Sequence, residues 1–195
     1  MLAIFAIFIG CIIGLIVAFA LRMKQIWIRG PASVYVTAIR NTPILVLVLF
    51  TYFALPQMGF RLGKIESFVL TLAIYSGAYL AEVFRAGLVS VPPGLREAGL
   101  AVGLTEMQIR TSIIIPIMLR NVLPSLSSTL ISLFKDTSLA AAISVPELTF
   151  EARKINVETF RVIETWMVAS CLYVFTCTVL AALLRQVERR MAIPR

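Results

Sequence analysis

The 195-residue chain contains no histidine. That removes the commonest metal ligand and the commonest general base at neutral pH. A serine or threonine nucleophile therefore has no imidazole to activate it. No GxxxxGK[ST] phosphate loop occurs, so the chain does not bind ATP in the usual way. GxSxG and HExxH are missing too. Cysteine is scarce: Cys11, Cys171 and Cys177 all lie in apolar runs, odd in number and at no metal-ligand spacing. They read as small buried hydrophobes rather than a disulfide framework or a metal site. Charge is also scarce, at 14% of residues, where a soluble domain has roughly 25%. The few carboxylates fall in apolar segments or loops with no sign of a water-excluding catalytic pair. An enzyme is not expected, and neither are catalytic residues, a metal or a cofactor.

What the chain has in excess is apolar surface. Hydrophobic residues make up 59%, more than a core of this size needs, and the surplus has to face lipid. The net charge of +8 does not point to nucleic acid, because the basic residues form no single stripe with interleaved aromatics. They flank apolar segments, where positive charge sets membrane orientation.

About 20 apolar residues cross a bilayer as a helix. Five runs meet that length, over residues 2–21, 34–56, 65–90, 111–134 and 162–184. The first has no basic residue before it and no small-x-small cleavage site after it, so it reads as a span rather than a signal peptide. No internal repeat or soluble insertion is present. Residues 1–195 therefore read as a single all-α membrane domain of five transmembrane helices.

An odd number of spans puts the termini on opposite sides. With the C-terminus inside, the inner face holds Arg22, Lys24, Arg29, Arg40, Arg96, Arg110, Arg185, Arg189, Arg190 and Arg195. The outer face keeps Arg61, Lys64, Lys135, Arg153, Lys154 and Arg161, balanced by acidic neighbours. The bias predicts N-terminus out and C-terminus in.

Between the third and fourth spans comes PPGLREAGLAVGLTEMQIRTSIIIPIML, residues 92–119. Pro92-Pro93-Gly94 ends the span before it. A short helix follows over about 95–103, with Glu97 in its first turn, where negative charge suits the helix dipole. Gly103 stands where the helix end requires positive φ. Thr105 and Gln108 form a capping box for the next helix. Ala98, Gly99 and Ala101 give the short helix a small face that another surface approaches closely. It is either a plain hairpin between spans or a plug for a partner's groove.

These residues resemble the EAA motif of ABC importer membrane subunits, E-A-A, three residues, G, nine residues, I-x-L-P. Here Glu97-Ala98-Gly99, Gly103 and Ile113-Ile114-Ile115-Pro116 keep that spacing. Gly99 replaces an alanine and Ile115 a leucine. Other segments are similar to the polar amino acid branch of the family: Arg40-Asn41-Thr42-Pro43 to its R-G-T-P, and residues 76–85, SGAYLAEVFR, to its S-G-A-Y-L-A-E-I-F-R. Lys135-Asp136-Thr137-Ser138-Leu139 with Val145-Pro146-Glu147-Leu148 resembles K-D-T-S-L…V-P-E-L, and Glu188-Arg189-Arg190 the terminal E-R-R. The resemblance runs in order over nearly the whole chain. One departure is that family members carry a longer segment before the first span.

The resemblance implies the fold of a type I ABC importer transmembrane domain, in a bacterial inner membrane. It implies a permease subunit that forms the translocation pathway with a second copy or a paralogue. ATP is then bound and hydrolysed by separate ATPase subunits, and a periplasmic binding protein delivers a polar amino acid. The coupling helix toward the ATPase would comprise Glu97, Ala98, Gly99, Leu100 and Gly103.

The candidate pathway residues are Tyr79, Glu82, Arg85, Lys135, Asp136, Thr137 and Ser138. Charges in a span are costly and usually functional. Glu82 and Arg85, at i and i+3, either pair with each other or line the pathway. Lys135, Asp136, Thr137 and Ser138 either form a solvated span end or offer a zwitterion its cation and its anion. The acidic stripe Glu147, Glu151 and Glu158 either favours a cationic substrate or balances Arg153, Lys154 and Arg161. The competing reading is a membrane anchor or assembly subunit, which needs neither charges in its spans nor a docking helix.

Overall fold

In lipid a backbone satisfies its own polar groups as a helix, and these apolar runs do so. The computed structural model describes residues 2–191. Among them are nine α-helices and no strand. They are α1 (Leu2–Leu21), α2 (Ile26–Arg40), α3 (Ile44–Leu49), α4 (Lys64–Ser90), α5 (Pro93–Ala101), α6 (Glu106–Ile109), α7 (Ile115–Asp136), α8 (Leu148–Thr159) and α9 (Val162–Met191). Arg195, counted above on the inner face, lies outside the described residues.

Four segments are long and apolar enough to cross a membrane alone: Ala3–Leu21, Lys64–Ser90, Glu106–Ile143 and Val162–Arg190. The second span departs from the sequence reading. Residues 34–56 are not one helix; Ile26–Arg40 and Ile44–Met58 meet at 102°. The break falls at Asn41-Thr42-Pro43, because a residue before proline is pushed out of the helical region. The Asn41 and Thr42 side chains donate to the Thr37 and Ala38 carbonyls, satisfying the orphaned end of α2. Counted as one broken span, the bent pair brings the crossings to five.

Proline also shapes two further irregular stretches. Phe50–Ala54 and Arg110–Ile114 are π-helical turns, and they precede Pro56 and Pro116. A proline in a helix lacks the N–H for the carbonyl four residues back and crowds it. The wider turn relieves both effects.

The centre of the chain is α4, whose buried residues run from Ser67 to Leu88. Glycine sets how closely α1 approaches it. A Cβ added at Gly14 would meet Leu80 Cβ at 2.8 Å and the Gly77 carbonyl oxygen at 3.1 Å, and one at Gly10 would strike Ser76. Small residues of this kind let membrane helices pack by close backbone contact. Tyr35 of α2 ties on by donating its hydroxyl to the Ile74 carbonyl at 2.6 Å. α7 packs on the far end of α4, where Gly87 admits Val122 and Met118. α9 leaves most of its surface uncovered by the rest of the chain.

Helix ends differ from span ends. α9 continues past residue 184 through Arg185, Glu188 and Arg189, since charged residues end a hydrocarbon span but are good helix formers. The charged stretch before it contains a further helix, α8. Glu147 caps α8 by accepting the Phe150 and Thr149 N–H groups at 2.7 and 2.9 Å, and Tyr173 donates to the same carboxylate at 3.0 Å. Glu147 is thus engaged in capping, unlike a freely solvated member of an acidic stripe.

Candidate functional site

The segment expected over 95–103 is α5, Pro93–Ala101. Pro93 occupies a first-turn position, where its missing N–H costs nothing. At the far end Gly103 has φ +83°. Its N–H donates to the Leu100 carbonyl and that of Leu104 to Gly99, both at 3.0 Å. This is the Schellman closure that a glycine at C′ permits. The Thr105–Gln108 capping box then starts α6. Arg96 of α5 forms an ion pair with Glu106 of α6, a contact ten residues apart that sequence spacing does not advertise. The Glu106 carboxylate raises the Arg96 pKa still further, so the guanidinium stays charged.

The two faces of α5 are unlike. Glu97, Ala98, Leu100, Ala101 and Val102 are exposed, and Val102 keeps 75% of its surface. Gly99 is buried instead. A Cβ there would meet Ile109 Cγ1 at 2.8 Å and Ile113 Cδ1 at 3.4 Å. Gly99 therefore leaves the outward small face expected for it and seats α5 against its own chain. The glycine in the alanine position has a packing reason: Ile109, itself fully buried, occupies the space an alanine methyl needs.

A second constellation lies on α4. Glu82 accepts from Arg85 through two hydrogen bonds, Nε to Oε1 at 3.0 Å and Nη2 to Oε2 at 2.6 Å. Arg40, at the end of α2, stands 3.7 Å from the same carboxylate. The Arg40 guanidinium also lies over the Tyr79 ring, 5.4 Å from its centroid. Tyr79 in turn packs on Tyr75, centroids 4.6 Å apart. One carboxylate thus serves two guanidiniums beside an aromatic pair. The Glu82 side chain keeps 25% of its surface, so the cluster is partly desolvated without being sealed.

Arg40 was counted among the inner basic residues; the structure makes it part of this cluster. The signal for it was the R-N-T-P segment, but nothing in the sequence joins position 40 to position 82. Asp136, at the end of α7, is half-buried and close enough to Tyr75 to interact with it electrostatically. Thr137 donates to the Phe134 carbonyl and is occupied locally. Lys135 is exposed and Ser138 half-buried.

Residues 10–193 match the family model described as binding-protein-dependent transport system inner membrane component. The glutamine transport system permease protein GlnP of Escherichia coli (strain K12) is 43% identical over 188 residues, covering 94% of this chain and 85% of that protein. The L-cystine transport system permease protein TcyB of Bacillus subtilis (strain 168) is 36% identical over 191 residues, covering 97% and 82%. Among solved structures, an amino acid ABC transporter crystallised with histidines superposes with a TM-score of 0.88 at 34% identity, covering 97% of this chain and 88% of that one. The inward-facing MetNI methionine ABC transporter gives a TM-score of 0.82 at 20% identity, covering 98% and 92%, a likeness of fold alone.

Proposed function

Because the chain belongs to the family of binding-protein-dependent transport system inner membrane components, and is a multi-pass inner-membrane permease subunit of an ABC importer, we infer that its cargo is a polar amino acid. As a permease it is a transport subunit and not itself an enzyme. Members of this family work with ATPase and binding-protein partners. We propose further that ATP is held entirely by the ATPase, that the pathway is completed by a second copy or a paralogue, and that the N-terminus lies outside and the C-terminus in the cytoplasm.

The observation that carries the cargo reading is the Arg40–Glu82–Arg85 cluster beside Tyr79. A zwitterion needs a cation for its carboxylate and an acceptor for its ammonium. Two guanidiniums sharing one carboxylate leave one positive charge without its own counter-ion. Charges within a transmembrane helix are costly and usually functional. The relatives that transport glutamine and L-cystine by name support the same class.

Coupling falls to α5. Its exposed Glu97 and Leu100, with Val102 just after its end, offer acidic and apolar groups suited to a cleft in the ATPase. Gly99 on Ile109 and Arg96 on Glu106 join α5 rigidly to α6 and so to α7. A push on α5 moves that span as a body.

The cargo is tested in vesicles that hold the permease, its ATPase and its binding protein, each supplied in turn with radiolabelled amino acids. Accumulation of a polar amino acid such as glutamine is the expected result. Accumulation of no amino acid, with ATPase stimulation by a solute of another class, would overturn the cargo.

A further inference from the structure

A cavity of about 880 Å³ opens where α1 and α4 end and α5 and α6 begin, on the coupling-helix side of the chain. Four cations line it: Arg22, Lys24, Arg96 and Arg110. The one carboxylate among its lining residues is Glu106, and it is paired with Arg96. Arg22 donates to the Leu88 carbonyl and so closes the last turn of α4. Lys24 and Arg110 have no ion-pair partner among the described residues. The lining thus has a surplus of positive charge, which suits an anionic group such as a phosphate.

The rest of the lining is largely apolar, with Phe19, Ile28, Leu88 and Ile114 in it. A free phosphate has no surface to lay against such a lining; a lipid has. The cavity also lies at the ends of two membrane-length helices, α1 and α4. α2 begins beside it with Ile26 and Trp27, which are 58% and 86% exposed. An exposed tryptophan at the mouth of a membrane helix belongs to the bilayer interface. Basic pockets between spans on the cytoplasmic side suit anionic headgroups.

We propose that this cavity holds the headgroup of an anionic glycerophospholipid, its phosphate between Lys24 and Arg110 and its glycerol end against Phe19 and Leu88. Arg96 brings the coupling helix into the same site. A bound headgroup therefore bridges the α1–α2 link and α5, and lipid charge reaches the part of the permease that the ATPase moves.

The chain has two tryptophans, so Trp166→Phe leaves Trp27 as the sole reporter. The full chain carrying that substitution is reconstituted in vesicles of phosphatidylcholine mixed with brominated phosphatidylglycerol or brominated phosphatidylcholine. The expected result is stronger Trp27 quenching by brominated phosphatidylglycerol at equal mole fraction. Lys24→Gln should lower that preference by about fivefold, the factor for one basic residue near an anionic surface. Lys24→Gln with Arg110→Gln should remove it. The control Arg185→Gln with Arg189→Gln, outside the cavity, should keep it. Equal quenching by both lipids in the parent overturns the site, as does an equal loss in the control, which would mean bulk surface attraction. Loss of the preference on adding inorganic phosphate at constant ionic strength would make it a free-anion site and end the lipid assignment.

Discussion

Arg40 lies 3.7 Å from Glu82, a carboxylate that Arg85 already holds through both of its oxygens. The three residues come from the end of α2 and the half-buried flank of α4. Two cations on one anion form an incomplete set, and in the proposed function an amino acid carboxylate supplies the missing negative charge.

Glu82→Gln should therefore lower uptake by more than about tenfold, the factor for 1.4 kcal/mol. Glu82→Gln with Arg85→Gln separates two roles. If the pair only steadies α4, the neutral double variant recovers both membrane insertion and uptake. The account expects insertion to recover and uptake to stay low, as measured by labelled amino acid in vesicles.

Gly99→Ala sets two effects against each other. Helix propensity favours alanine by about 0.8–1 kcal/mol. Overpacking against Ile109 costs about 1–3 kcal/mol, since a Cβ would come within 2.8 Å of its Cγ1. The net expectation is a lower thermal midpoint in detergent. The same substitution in an Ile109→Ala background should be less harmful or stabilising, and additivity of the two changes would show that the contact is not the cause.

Gly103→Val forces a β-branched residue to φ +83°, where even an unbranched residue pays roughly 1–2 kcal/mol. The Schellman closure at Leu100 and Gly99 should open and α5 lose its fixed direction. The measurable result is uptake falling further than ATPase activity, so that fewer molecules enter per ATP.

Gly14→Ala should loosen the contact between α1 and α4, because its Cβ would lie 2.8 Å from Leu80 Cβ and 3.1 Å from the Gly77 carbonyl oxygen. Neither neighbour is the tip of a flexible side chain. Faster proteolysis of the α1–α2 link in detergent is the expected outcome, whereas Gly30→Ala, with open space around its Cβ, should leave it unchanged.

The spans and the coupling segment were legible because their signals are local. A run of apolar residues declares its own length, and Gly103 followed by Thr105 and Gln108 declares a helix end and a helix start. The bend in the second span was harder to see. Its Thr42-Pro43 signal is two residues inside an otherwise spanning apolar run, and only the angle between α2 and α3 makes it a break. The Arg40–Glu82 contact and the direction of Gly99 were not legible at all, since each depends on which side chain a distant or neighbouring helix brings up. Glu147 was seen as a charge and found as a cap, because the helix it starts lacks a strong apolar period.

In the proposed function an ATPase drives this permease through α5. ATP-driven accumulation of labelled amino acid by the reconstituted complex, with Glu97→Lys in the permease, tests it most directly. Glu97 is exposed on α5 and has no packing role in the chain, so the variant should insert and assemble its own fold normally. The account predicts that accumulation is lost in that variant. Accumulation at the parent rate would contradict it.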